Sequence, residues 1–173
     1  MASKAILLED ALVAALQRFA VAPGCCWIVT RFINDSLQLA AENHGDFNGF
    51  RSAMQSLDNS SSGGTATAFA VLKVNLTEAK GGLQVDSLGR QKTVFFTFVP
   101  ATATALERAS MNEAKSAARA ALGLVVHVEY TVENAGDLEE AAVLTRVKQS
   151  TGGSRFALLH PHTHFCRSGR LSI

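Results

Sequence analysis

Cysteine is scarce in this chain, and what there is cannot form a disulfide framework. Of the three cysteines, Cys25 and Cys26 are adjacent and Cys166 stands alone near the C-terminus, with no C-x-x-C pair. That excludes a small disulfide-stapled scaffold and favours a reducing compartment. Charge of one sign is equally lacking. Sixteen basic against fifteen acidic residues leave a net charge of +1, so bulk affinity for nucleic acid is not expected and only a local basic patch can be argued. No long apolar run is present either. The N-terminal apolar stretch is broken by Lys4, Glu9, Asp10 and Arg18, which fits neither a signal peptide nor a membrane span. A cytosolic protein is expected, and the sequons at Asn34, Asn59 and Asn75 then carry no meaning. Catalytic motifs are missing too: there is no GxxxxGK[ST], no GxGxxG after a strand and no GxSxG. The carboxylates are dispersed, and no Ser–His–Asp or Cys–His spacing can be argued. The expectation is a protein without catalysis or cofactor.

What is present is enough apolar residue for one core. Hydrophobic residues make up 47% of 173, which suits a single globular domain and is too little chain for two. The organising stretch begins at Arg90-Gln-Lys92 and enters Thr93-Val-Phe-Phe-Thr-Phe-Val99, β-branched or aromatic throughout. This predicts an interior strand over 93–99, apolar on both faces. Pro100 stops it. An Ala-rich run with Glu, Arg, Lys and Leu predicts a helix over about 102–122. Gly123 sits where a left-handed C′ residue belongs, before a second β-rich run over 124–132. Strand, long helix, strand predicts a parallel pair joined by a right-handed crossover.

On that helix the spacing predicts Leu106, Ser110, Ala114, Ala117 and Ala121 facing the sheet. Arg108, Asn112, Lys115 and Arg119 then fall opposite, and no Asp or Glu lies three or four positions from any of these cations. With Arg90 and Lys92 the expectation is five cations on one surface, open to an acidic partner.

Earlier in the chain, Ser3 is the expected N-cap of a first helix buried through Leu8, Leu12, Ala15, Leu16 and Phe19. Residues 25–33 read as a strand, Asn34-Asp35 as a tight turn and 36–41 as the returning strand. Asp46 can cap a short helix whose Phe47, Phe50, Met54 and Leu57 form a core stripe. A loop at 59–64 precedes a strand over about 65–75, and the glycine-containing connection 76–89 reads as mobile or functional. Val126, Val128, Tyr130 and Val132 alternate with His127, Glu129 and Thr131, the pattern of a strand near a sheet edge. His127 reads as a solvated strand residue. Asp137 with Glu140 resembles a capping box for a last helix, with Val143, Leu144 and Val147 inside and Arg146 and Lys148 towards solvent. The tail carries His160-Pro-His162-Thr-His164-Phe-Cys166, a cluster with metal-ligand residue types. It lies in an aperiodic segment, and no metal site is expected there.

This order of elements resembles the actin-depolymerising-factor homology domain. The likeness is sharpest at Arg90-Gln-Lys-Thr-Val-Phe-Phe-Thr-Phe98, Leu106-Glu-Arg-Ala109, Lys115 and Val125-Val-His-Val-Glu129. Cys26-Trp-Ile-Val-Thr-Arg-Phe32 and Thr151-Gly-Gly153 resemble the coactosin branch in particular. The resemblance implies an α/β fold over residues 3–155: one domain, a central mixed sheet of five or six strands, and helices on both faces. An irregular tail would fill 156–173. It also implies a non-enzymatic, monomeric, cytoplasmic protein of the actin cytoskeleton that binds actin, filamentous in preference to monomeric, with no nucleic-acid or membrane partner. The implied actin-binding residues are Arg90 and Lys92 at the strand entry and Arg108, Lys115 and Arg119 on the long helix. Other readings in the same fold are a depolymerising or twinfilin-like monomer binder and an adaptor for a cytosolic enzyme. Ala109 and Ser110 stand where depolymerising factors tend to place a basic-Met pair.

Overall fold

The computed structural model describes residues 6–22, 26–33, 35–43, 45–59, 67–76 and 90–150. Ser3, most of the connection at 77–89 and the tail with its histidines lie outside them. Six strands form one mixed sheet, in chain order β1 (Leu7–Leu8), β2 (Cys26–Ile33), β3 (Ser36–Asn43), β4 (Ala68–Leu76), β5 (Arg90–Phe98) and β6 (Val128–Val132). Their spatial order is β1-β3-β2-β4-β5-β6. Among the described residues four α-helices accompany them: α1 (Asp10–Val21), α2 (Phe47–Asn59), α3 (Ala105–Leu122) and α4 (Glu140–Ser150).

The sheet separates two cores. On one face Phe47, Phe50, Met54 and Leu57 of α2 and Val143, Leu144 and Val147 of α4 pack against Val94, Phe96 and Phe98. On the other, Leu12, Ala15 and Phe19 of α1 and Met111, Ala118 and Leu122 of α3 pack against Phe69, Val71 and Phe95. Strand alternation assigns β5 residues to the two sides by parity. Every residue of 94–98 is buried, as the two-faced apolar run requires.

The expected crossover is present. β5 and β6 pair in parallel from Val94↔Val128 to Phe98↔Val132, with α3 between them in sequence. β6 is shorter than its apolar run and lies at the sheet edge. The hairpin forms as read, with Asp35 taking the left-handed φ of 62° in its turn. Asp46 caps α2, its Oδ1 accepting from Gly49 N–H at 2.9 Å.

Three elements differ from the sequence reading. The first helix begins at Asp10 rather than after Ser3, because the chain before it is drawn to β3. Leu7 and Leu8 pair with Ser36 and Leu37, and Glu9 donates its N–H to Leu37 O while its carboxylate accepts from Leu39 N–H at 3.0 Å. Asp137 is not the cap of α4. It sits in a short 3-10 turn, Ala135–Asp137, whose cap is Asn134. Finally, α3 buries Met111, Ala118 and Leu122, while Leu106 is 80% exposed and Ser110 is also exposed. The bulky Met111 and Leu122 decide the docking: Ala114 of the expected stripe still packs against this core and Ala117 and Ala121 are half-buried, but the buried face is centred on the side of Met111 rather than of Leu106.

Candidate functional site

α3 is held at both ends by local chemistry. Thr104 and Glu107 form a capping box: Glu107 N–H donates to Thr104 Oγ1 at 3.3 Å and Thr104 N–H to Glu107 Oε2 at 2.7 Å. At the other end Gly123 takes φ 62° and donates to Ala120 O, the conformation a side chain would oppose. Between these caps the exposed residues Leu106, Ala109, Glu113, Ser116 and Ala120 recur on one side of the helix. That ridge is mostly small and apolar, with a single charge.

The cations lie along the flank nearer the sheet. Arg108 occupies the first turns, where the helix macrodipole disfavours a positive charge. Backbone carbonyls answer it: Nε donates to Ala103 O, and Nη2 to Pro100 O and Ala101 O at 3.1 Å each. Glu133 Oε1 is 3.6 Å from its Nη1. Arg108 thereby clamps the loop that leads from β5 into α3.

Lys115 and Arg119 share one carboxylate. Lys115 Nζ is 2.7 Å from Glu129 Oε2, and Arg119 Nη1 is 2.8 Å from Glu129 Oε1. The hydrogen bond from Lys115 is the main cause that holds the Glu129 carboxyl below its ordinary range, against burial that raises it, with both positive charges assisting. The three helical cations are therefore not without acids nearby. Their partners come from β6 and the residue after it, which helical spacing cannot reveal.

Lys92 and Arg90 sit elsewhere on the sheet. Lys92, half-buried, pairs with Val74, and alternation places it on the side of Val94 and Phe96, beneath α2 and α4 rather than α3. Arg90 is the first residue of β5, paired with Leu76. The chain leaving α3 reaches β6 through His127, which lies beside the start of β5. There His127 N–H donates to Thr93 O at 2.9 Å, and Nδ1 accepts from Thr93 N–H at 3.1 Å. Burial, and then the Lys92 ammonium, lower the pKa of His127. The structure thus joins Lys115 with Arg119, gives Arg108 to a loop, and places Lys92 on the face opposite α3.

A buried lysine escaped the sequence reading. Lys73 is 6% exposed on β4 and donates to Phe19 O and to Ala22 O, the latter at 3.1 Å, with its Nζ 4.8 Å above the Phe19 ring. A cation at these last carbonyls of α1 suits the helix dipole. An isolated Lys inside an apolar strand was the available signal. Among the described residues no group of three His, Cys, Asp or Glu side chains is placed to hold a metal ion, and no helix is long and apolar enough to cross a membrane.

A family model described as cofilin/tropomyosin-type actin-binding protein matches residues 5–148. Solved structures share the fold. Human coactosin-like protein has a TM-score of 0.62 at 13% identity, over 93% of this chain and 100% of that one. Coactosin from Entamoeba histolytica also gives 0.62, at 12% identity over 86% and 98%. Cofilin from Streptomyces griseoflavus gives 0.58, at 18% identity over 82% and 98%. No curated protein matches by sequence.

Proposed function

The chain belongs to the cofilin/tropomyosin-type actin-binding family, and from that membership we propose a non-enzymatic, cytoplasmic protein of coactosin type that binds actin filaments. α3 is the docking element in this reading, with Lys92 and Arg90 at the entry to β5 as a second contact. The observation that carries it is the open face of α3. Leu106 is 80% exposed at the head of a ridge that is small-sided except for Glu113 and that no element of the described chain covers, with Lys115 and Arg119 along one flank. A narrow ridge of small side chains suits close approach to a cleft, and a cationic flank suits an acidic filament. Arg108, spent on backbone carbonyls, acts as a positioning residue for the helix rather than as a contact.

Ala109 and Ser110, both exposed on α3, lack the basic-Met character of depolymerising factors, which favours filament decoration over monomer capture. The monomer reading uses the same helix, so two measurements separate them. High-speed cosedimentation with filaments should retain the protein, and titration of labelled actin monomers should give the weaker association. Monomer binding alone would reverse the preference.

A further inference from the structure

We infer that Glu129 is an internal competitor for the acidic groups that Lys115 and Arg119 would meet on a partner, so that the free protein holds this part of its surface self-neutralised. The inference rests on the proposed actin reading for the partner, and on the geometry alone for the competition. One carboxylate serves two cations, an oxygen to each, at 2.7 and 2.8 Å. Its charge of −1 reduces the pair's +2 to +1.

The contrast with Arg108 gives the pairing its meaning. Arg108 is tied mainly to three backbone carbonyls of its own loop, which stay beside it whatever approaches, and Glu133 at 3.6 Å is only a loose addition. Among the described residues, Lys115 and Arg119 have Glu129 as their one ion-pair partner, a group chemically equivalent to those on an acidic surface. Glu129 lies on the edge strand β6, and its side chain is 37% exposed beside an Arg119 that is 48% exposed. A partner carboxylate can therefore reach the cluster from solvent without opening the fold. Ion pairs this exposed are individually weak, so exchanging Glu129 for an external acid requires little. Until that exchange, Glu129 also repels the acids that the two cations attract.

The test uses the full chain with Glu129→Gln, the charge-conserving Glu129→Asp, and Glu139→Gln as a charge-matched change at the exposed residue just before α4. Each is checked for folding by circular dichroism. Binding is measured to actin filaments by cosedimentation and to polyglutamate by fluorescence anisotropy. Glu129→Gln should bind both about threefold or more tighter than the parent at low salt and exceed Glu139→Gln, as removal of a like charge at an interface implies. Glu129→Asp should return towards the parent. The gain should shrink at high salt and vanish when Lys115→Ala and Arg119→Ala are added. A folded Glu129→Gln no tighter than Glu139→Gln, or a gain that survives loss of both cations, overturns the inference. If filaments ignore every variant while polyglutamate gives the expected order, the actin reading fails and the competition stands.

Discussion

Two substitutions less than two turns apart on α3 should behave as opposites. Met111 is 1% exposed in the core beneath the helix, and Leu106 is 80% exposed on its outer ridge. Met111→Ala removes a fully buried side chain and leaves a cavity, which costs about 2–5 kcal/mol. Leu106→Asp alters a site that contributes almost nothing to the fold, so its stability should stay within about 0.5 kcal/mol of the parent. Function should invert that order. Burying a leucine at an interface contributes about 1.5–3 kcal/mol, and an aspartate there adds repulsion from an acidic partner. Leu106→Asp should therefore weaken filament binding by roughly tenfold or more, at 1.4 kcal/mol per tenfold. Urea unfolding gives the first pair of numbers and cosedimentation the second. If Leu106→Asp unfolds like a core variant, or binds filaments like the parent, the orientation argued for α3 or its role as the docking face is wrong.

Lys73→Met keeps the packing but removes both donors to the end of α1, and should lower stability by about 1–3 kcal/mol through unsatisfied carbonyls. An unchanged urea midpoint would mean that burying the ammonium cancels its hydrogen bonds. Lys92→Ala and Arg90→Ala should each weaken filament binding at low salt more than at high salt, with unchanged circular dichroism, and parental cosedimentation would remove the strand entry from the site. His127 is held below its ordinary pKa and accepts through Nδ1 as a neutral ring. Its stabilising contribution is thus complete above the unfolded value of about 6.5 and is lost as pH falls through the lower folded value. His127→Gln should flatten the fall of the urea midpoint in that window, and identical profiles for variant and parent would count against the assignment.

The crossover unit was legible because its signals are local. Two β-rich runs, Pro100 and Gly123 mark their own boundaries, and the stripe of Phe47, Phe50, Met54 and Leu57 names its buried face without ambiguity. The face of α3 was not legible, since alanines surround the helix and a stripe beginning at Leu106 looks as apolar as one through Met111 and Leu122. Tertiary contact decided between them. The partners of the cations were hidden for a related reason: Glu129 and Glu133 reach α3 only after β6 has docked beside β5. Glu9 follows the same logic, leaving the helical pattern for hydrogen bonds to a strand some thirty residues later. The side of the sheet taken by Lys92, by contrast, could have been read from the alternation that puts Val94 and Phe96 on one face.

The proposed binding of actin filaments through α3 is electrostatically assisted, and salt therefore reads it out. Cosedimentation of the full chain with filaments, repeated from low salt to an ionic strength where the Debye length falls well below about 10 Å, tests it most directly. Saturable recovery in the pellet is expected, declining as salt rises and reduced in Leu106→Asp. Protein that stays in the supernatant at every salt concentration, while correctly folded, would contradict it.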